Sequence, residues 1–164
     1  MNGKMEDLED VTVVATSGKK YKLSQIAGNG SQGIVYEETS GKIMVKLYYP
    51  SGNQTIDEEV LERLYFIMNI KMPKNFVSII DVIEFPYIGY VMEKVTDHVP
   101  LNTFLIPDKN KGFADWYNEG YGLRGRIFVG YIIAKAFSEL EINNLSYCDI
   151  SGNNIFVNVS KNAS

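Results

Sequence analysis

The chain has 164 residues, enough for one domain or part of a larger one. Hydrophobic content of 45% and charged content of 22% are those of a globular protein, and a formal net charge of −4 argues against a nucleic-acid footprint. Cys148 is the only cysteine and His98 the only histidine, which excludes an internal disulfide and a Cys/His metal cluster.

No apolar run approaches the ~20 residues that span a bilayer, so no membrane contact is expected. Met1 to Asp10 is acidic and polar, without the apolar stretch of a secretion signal. It reads as a loose tail on a cytoplasmic protein. Val11 to Ala15 and Tyr21 to Ile26 read as strands around a turn at Ser17-Gly18-Lys19-Lys20. Gly28-Asn29-Gly30-Ser31-Gln32-Gly33 leads into another strand, Ile34 to Glu38, and Thr39-Ser40-Gly41-Lys42 turns the chain into the next, Ile43 to Tyr49.

Thr55 or Asp57 is expected to cap a helix running to about Ile70, with Glu58 and Glu59 in its first turn and Pro73 ending it. Val77 to Glu84 and Ile88 to Lys94 read as two strands joined around Pro86. After Val95 the character changes. Leu101 to Leu105 suits a short helix, and Pro107 to Gly112 a polar surface loop. Leu123 to about Asn143 is a long helix, apolar nearly all round and therefore expected to be buried on most sides. The pattern predicts an α+β fold in two lobes, 11–95 and 96–164, with Ser160 to Ser164 as a tail.

Three stretches carry candidate chemistry. Gly28, Gly30 and Gly33 form G-x-G-x-x-G, but a strand follows, so the helix dipole of a dinucleotide site is missing. A glycine-rich turn between antiparallel strands can instead fold over phosphates with its backbone N–H groups; the plain alternative is a flexible hairpin. Lys46 lies thirteen residues after Gly33 in an otherwise apolar strand, where an unpaired lysine is costly. It reads either as a phosphate ligand held by a helix carboxylate or as an edge lysine facing solvent. Glu58, Glu59 and Glu62 compete as its partner. Glu62 is favoured because Phe66 at i+4 and Tyr65 would give it an apolar neighbourhood facing the sheet, with Glu59 next.

The third stretch is Tyr147-Cys148-Asp149-Ile150-Ser151-Gly152-Asn153-Asn154, followed by the apolar run Ile155 to Asn158. Asp149 can take or orient a hydroxyl proton, Asn154 five residues later can face a metal, and the strand holds both in register. Asp and Asn are also ordinary turn residues. Phe113, Trp116 and Tyr117 read as a packing cluster, and Cys148 as a small residue filling its loop.

In this order the parts resemble a protein kinase from about Tyr21 to Asn158. Gly89-Tyr90-Val91-Met92-Glu93 and Tyr147-Cys148-Asp149 through Phe156 look like bacterial kinase-like domains with Tyr-x-Asp in place of His-Arg-Asp. The resemblance implies that Gly28, Gly30 and Gly33 cover the phosphates of ATP, with Val35 over the adenine. Lys46 would contact the phosphates and pair with Glu62. Met92 would be the gatekeeper, Glu93 and Val95 the adenine-facing hinge, and Phe156 the floor of the pocket. Asp149 would orient a hydroxyl acceptor on a protein or small molecule, and Asn154 would bind Mg²⁺.

Departures from that pattern shape the expectation. Met44 stands where the family has a small residue, Cys148 where it has the arginine that reads a phosphorylated loop, and Ser151 where protein kinases have a lysine. No acidic residue follows Asp149, so the second metal ligand is missing, and a chain cut short after the catalytic loop, with little or no activity, is expected. Phe128, Ile132, Ile133 and Phe137 would then leave an apolar patch that drives self-association. The alternatives are a module that holds nucleotide or a partner without turnover, and a relative of aminoglycoside- or choline-type kinases.

Overall fold

Strand alternation builds most of the first half of the molecule. The computed structural model describes residues 8–107, 109–119 and 122–158, and the chain divides between Lys94 and Val95 into two compact units. The first holds β1 (Thr12–Val14), β2 (Lys20–Asn29), β3 (Gly33–Glu38), β4 (Ile43–Tyr48), α1 (Gln54–Asn69), β5 (Ile79–Ile83) and β6 (Gly89–Glu93). The six strands form one antiparallel sheet in the order β1-β2-β3-β4-β6-β5.

Period-two burial puts one face of this sheet into a core. Tyr21 and Leu23, Ile34 and Tyr36, Val45 and Leu47, and Val91 all point into it, each at most 2% exposed. Leu8 packs against the same core and the Asp10 N–H donates to the Leu23 carbonyl at 2.9 Å, so residues 8–10 are held, not loose. Residues 1–7 and 160–164 of the expected tails lie outside the described residues.

The sheet is curled, and a buried carboxylate ties its two ends together. Asp81 of β5 is 5% exposed. It accepts from the hydroxyl of Ser17, the Val82 N–H at 3.0 Å, the Thr16 hydroxyl at 3.4 Å and the Tyr21 phenol at 3.5 Å. The Thr16 N–H also reaches the Val82 carbonyl at 2.8 Å. The β1–β2 turn at one end of the strand order is thus pinned to the last strand at the other. Bulges in β2 around Ile26 help bend the sheet far enough to allow this.

Helix α1 starts earlier than expected because Asn53, not Thr55 or Asp57, is its cap: the Asn53 side chain accepts from the Thr55 N–H at 3.0 Å. Leu64 is its buried residue, and the helix packs on β5.

The second unit contains β7 (Val99–Pro100), α2 (Asn102–Leu105), α3 (Phe113–Glu119), α4 (Gly122–Ile142) and β8 (Phe156–Val157), with β7 and β8 paired antiparallel. Its core is Phe104, Val129 and Val157, with Val99, Leu101 and Ile133 packed around them. Helix α3 is an element the composition did not signal. It carries the expected aromatic cluster, with Phe113 stacked on Tyr117 at 6.0 Å and tilted against Trp116 at 5.6 Å. Arg126 of α4 completes the cluster: its guanidinium lies 4.3 Å from the Trp116 ring centre and 4.6 Å from that of Tyr117.

Burial along α4 corrects the reading of a helix covered on most sides. Gly125, Val129, Ala136 and Leu140 form one buried stripe. Leu123, Ile127 and Tyr131 on the opposite side are 63%, 63% and 61% exposed. Of the expected patch, Phe128 and Ile132 are exposed, at 41% and 36%, whereas Ile133 and Phe137 are half-buried. No helix among the described residues is long and apolar enough to cross a membrane.

Candidate functional site

Residues that face away from the sheet core make the candidate site of the first unit. Val45 and Leu47 point inward, so Met44, Lys46 and Tyr48 point outward from β4. The register sets Val35 opposite Lys46, Lys46 opposite Tyr90, and Met44 opposite Met92. Val35, Met44, Lys46, Tyr90 and Met92 thus form a half-buried patch on one face of three adjacent strands. Strand β4 lies between β3 and β6, which removes the edge-lysine reading of Lys46. Glu93 continues β6 opposite Ile43 and is exposed, and Val95 begins the second unit, 39% exposed.

The three glycines have different reasons for lacking a side chain. None of them has a positive φ. Gly33 is buried at the start of β3, and a Cβ there would sit 2.1 Å from the Leu47 carbonyl oxygen, so glycine is what lets β3 approach β4. Gly28 lies opposite Val35, and a Cβ on it would meet nothing within 4 Å. The Gly30 N–H donates to the Gly33 carbonyl at 3.0 Å and closes the turn, and a Cβ on Gly30 would come no nearer than 3.9 Å to anything. At Gly28 and Gly30 neither crowding nor φ requires glycine. The missing side chains leave the turn backbone uncovered on that side.

Helix α1 does not build the neighbourhood expected for Glu62. Leu64 faces inward, and two residues back along a helix is a rotation of about 200°. Glu62 is exposed, and Phe66, expected beside it against the sheet, is 59% exposed. Glu59 pairs with Arg63 at 3.4 Å and Glu58 accepts from Gln54 at 2.8 Å, both along the helix surface.

The second unit has a candidate site of its own, the loop before β8. The Asn154 amide nitrogen donates to the Asp149 carboxylate at 2.8 Å and to the Asp149 carbonyl at 3.1 Å, while the Asn154 N–H donates to the Ser151 carbonyl at 3.1 Å. Both side chains are exposed. With its nitrogen engaged by Asp149, Asn154 has its amide oxygen left to face a cation. That donor suits Mg²⁺, which prefers oxygen ligands and keeps several waters. Among the described residues no group of three His, Cys, Asp or Glu side chains converges to hold a metal.

A second strand of chain holds this loop. The Leu101 and Asn102 N–H groups donate to the carbonyls of Ile155 at 2.8 Å and Gly152 at 3.1 Å. The Asn102 side chain donates to Asn153 at 2.6 Å. Gly152 has no room for a side chain, since a Cβ would fall 2.0 Å from the Asn102 amide oxygen. Asn102 is thus a residue the sequence reading missed; a lone polar residue opening a four-residue helix gives no signal of its partner 51 positions on.

Tyr147 stacks on Phe137 at 5.9 Å, and burial, reinforced by the nearby Asp149 charge, pushes its phenol above the usual tyrosine value. Cys148, expected to fill the loop, is exposed, with its Sγ 3.8 Å from the Ser146 carbonyl. Phe156 is 49% exposed on β8, opposite Pro100.

No protein-family model matches the chain, and no curated protein matches it.

Proposed function

We propose that this chain is a nucleotide-binding, protein kinase-like domain built to present ATP to a hydroxyl acceptor. The observation that carries the reading is the outward patch of the sheet. Val35, Met44 and Met92 offer an apolar surface for a base, and Lys46 supplies a cation at its centre for phosphate. The open turn at Gly28 and Gly30 stands next to Val35 in register. The strand order β2-β3-β4-β6-β5, with one helix inserted between β4 and β5, supports the same reading.

The same reading gives the loop residues of the second unit roles of their own. Asp149 accepts the hydrogen bond of an incoming hydroxyl and orients it, while Asn154 keeps that carboxylate in place. Mg²⁺, when bound, would neutralise phosphate charge, with the Asn154 oxygen as its ligand from this loop. Ser151, in the position where the protein kinases carry a lysine, favours a small-molecule acceptor as the second reading.

Thermal unfolding of the full chain tests the proposal. Millimolar ATP with Mg²⁺ is expected to raise the melting temperature, and Lys46→Ala to abolish the rise. An unchanged melting temperature in the parent would remove the nucleotide reading. Transfer of phosphate to an aminoglycoside or to a protein mixture, lost in Asp149→Asn, divides the acceptor classes.

A further inference from the structure

Lys46 lies against two tyrosine rings. Its Nζ is 5.0 Å from the ring centre of Tyr48 and 6.0 Å from that of Tyr90. The rings are themselves 6.1 Å apart and tilted by 48°. The sheet dictates this arrangement: Tyr90 is the cross-strand partner of Lys46, and Tyr48, two residues along β4, shares its face.

An ammonium within about 6 Å of a ring centre is drawn to the negative face of the π system. Such a contact directs a cation without exchanging a proton with it and without cancelling its charge. Burial holds the Tyr48 phenol above its usual value, so the ring stays neutral at physiological pH and offers a face, not a counter-charge. A flexible lysine stem carries substantial rotamer entropy, and two rings on its flanks restrict it before any ligand arrives.

We propose that Tyr48 and Tyr90 are positioning residues that hold the Lys46 ammonium on the outer face of the sheet, charged and aimed, for the phosphate oxygens of a nucleotide. The ligand half of this proposal rests on the nucleotide-binding reading above; the clamp itself does not. The specific requirement is an aromatic face at both positions, not a hydroxyl.

Two measurements on the full chain separate these parts. In carbon–proton NMR, with assignment by Lys46→Arg, the Lys46 ε-methylene protons are expected upfield of those of exposed lysines, because they lie in the ring currents. The signal should persist in Tyr48→Phe and Tyr90→Phe and move to the exposed-lysine position in the Tyr48→Leu/Tyr90→Leu pair. In titrations with Mg²⁺–ATP, the Leu pair should bind about three- to tenfold more weakly, and the Phe variants should bind like the parent. If the pair lacks a cooperative melt, Tyr90→Leu alone serves.

A Lys46 signal at the exposed-lysine position in the parent overturns the clamp. A Leu variant that loses the upfield shift yet binds Mg²⁺–ATP as the parent does overturns the positioning role. A parent with the upfield shift and no binding of ATP overturns the ligand half, together with the nucleotide reading, and leaves the clamp standing.

Discussion

Asn154 grips Asp149 twice through one nitrogen, at the carboxylate and at the backbone carbonyl. The grip fixes the carboxylate relative to its own main chain, so the direction in which Asp149 presents its second oxygen depends on a residue five positions away. Asn154→Ala is expected to change stability by only about 1 kcal/mol, the usual net worth of an exposed amide bond. It should also weaken the Mg²⁺-dependent part of ATP binding, measured as the difference between thermal shifts with and without Mg²⁺. Equal shifts in parent and variant would separate Asn154 from the metal.

Asp81 should matter more to stability than any residue of the candidate site. It serves donors from both ends of the strand order, and Asp81→Ala would leave the buried Tyr21 hydroxyl without its acceptor, while the exposed Ser17 can turn to water. A loss of about 1–3 kcal/mol is expected, since a buried hydroxyl stripped of its partner costs on that order. Chemical denaturation should report it as a lower midpoint at unchanged slope.

Glu37 supplies a pH dependence with a definite sign. The hydrogen bond from Lys94, at 2.6 Å, and then that from Gln25 hold its carboxyl below the ordinary value of 4.5. A carboxyl depressed by folding stabilises the native state at and above its unfolded range, and that contribution fades as pH falls through the folded value. Melting temperatures recorded from pH 7 down to pH 3 should therefore fall more steeply for the parent than for Glu37→Gln. Parallel curves would count against it.

The two sides of α4 should respond oppositely to substitution. Leu140→Ala on the buried stripe is expected to cost about 2–4 kcal/mol. Ile127→Lys on the open side should leave stability within about 0.5 kcal/mol. Self-association through that face is an expected outcome: light scattering at micromolar concentration should give the parent a mass above the single chain, and Ile127→Lys should lower it. A parent that scatters as a single chain would remove the association.

What could be read from residue order alone was whatever repeats locally. Strand alternation put β2, β3, β4 and β6 close to where they lie, and the spacing of Lys46 after Gly33 set them in adjacent strands. Pairwise relationships over long separations were not legible. Asp81 binding Ser17, and Asn102 binding Asn153, join segments more than fifty positions apart by single side chains, which leave no periodic trace. Helix α1 misled for a related reason. Three glutamates and several apolar residues give a broad, weak stripe, and only the packing of Leu64 on one side decides which way Glu62 turns.

The tether between Asn102 and the Gly152–Asn153 turn has an evolutionary corollary. It fastens the two ends of a long excursion of chain, so added length within that excursion would not disturb the ends. The entropic cost of enlarging an already closed loop grows only as the logarithm of its length. Segments grafted near Lys109 to Lys111, where the surface is exposed, should therefore be tolerated. Homologues that differ in size are expected to carry their extra residues there.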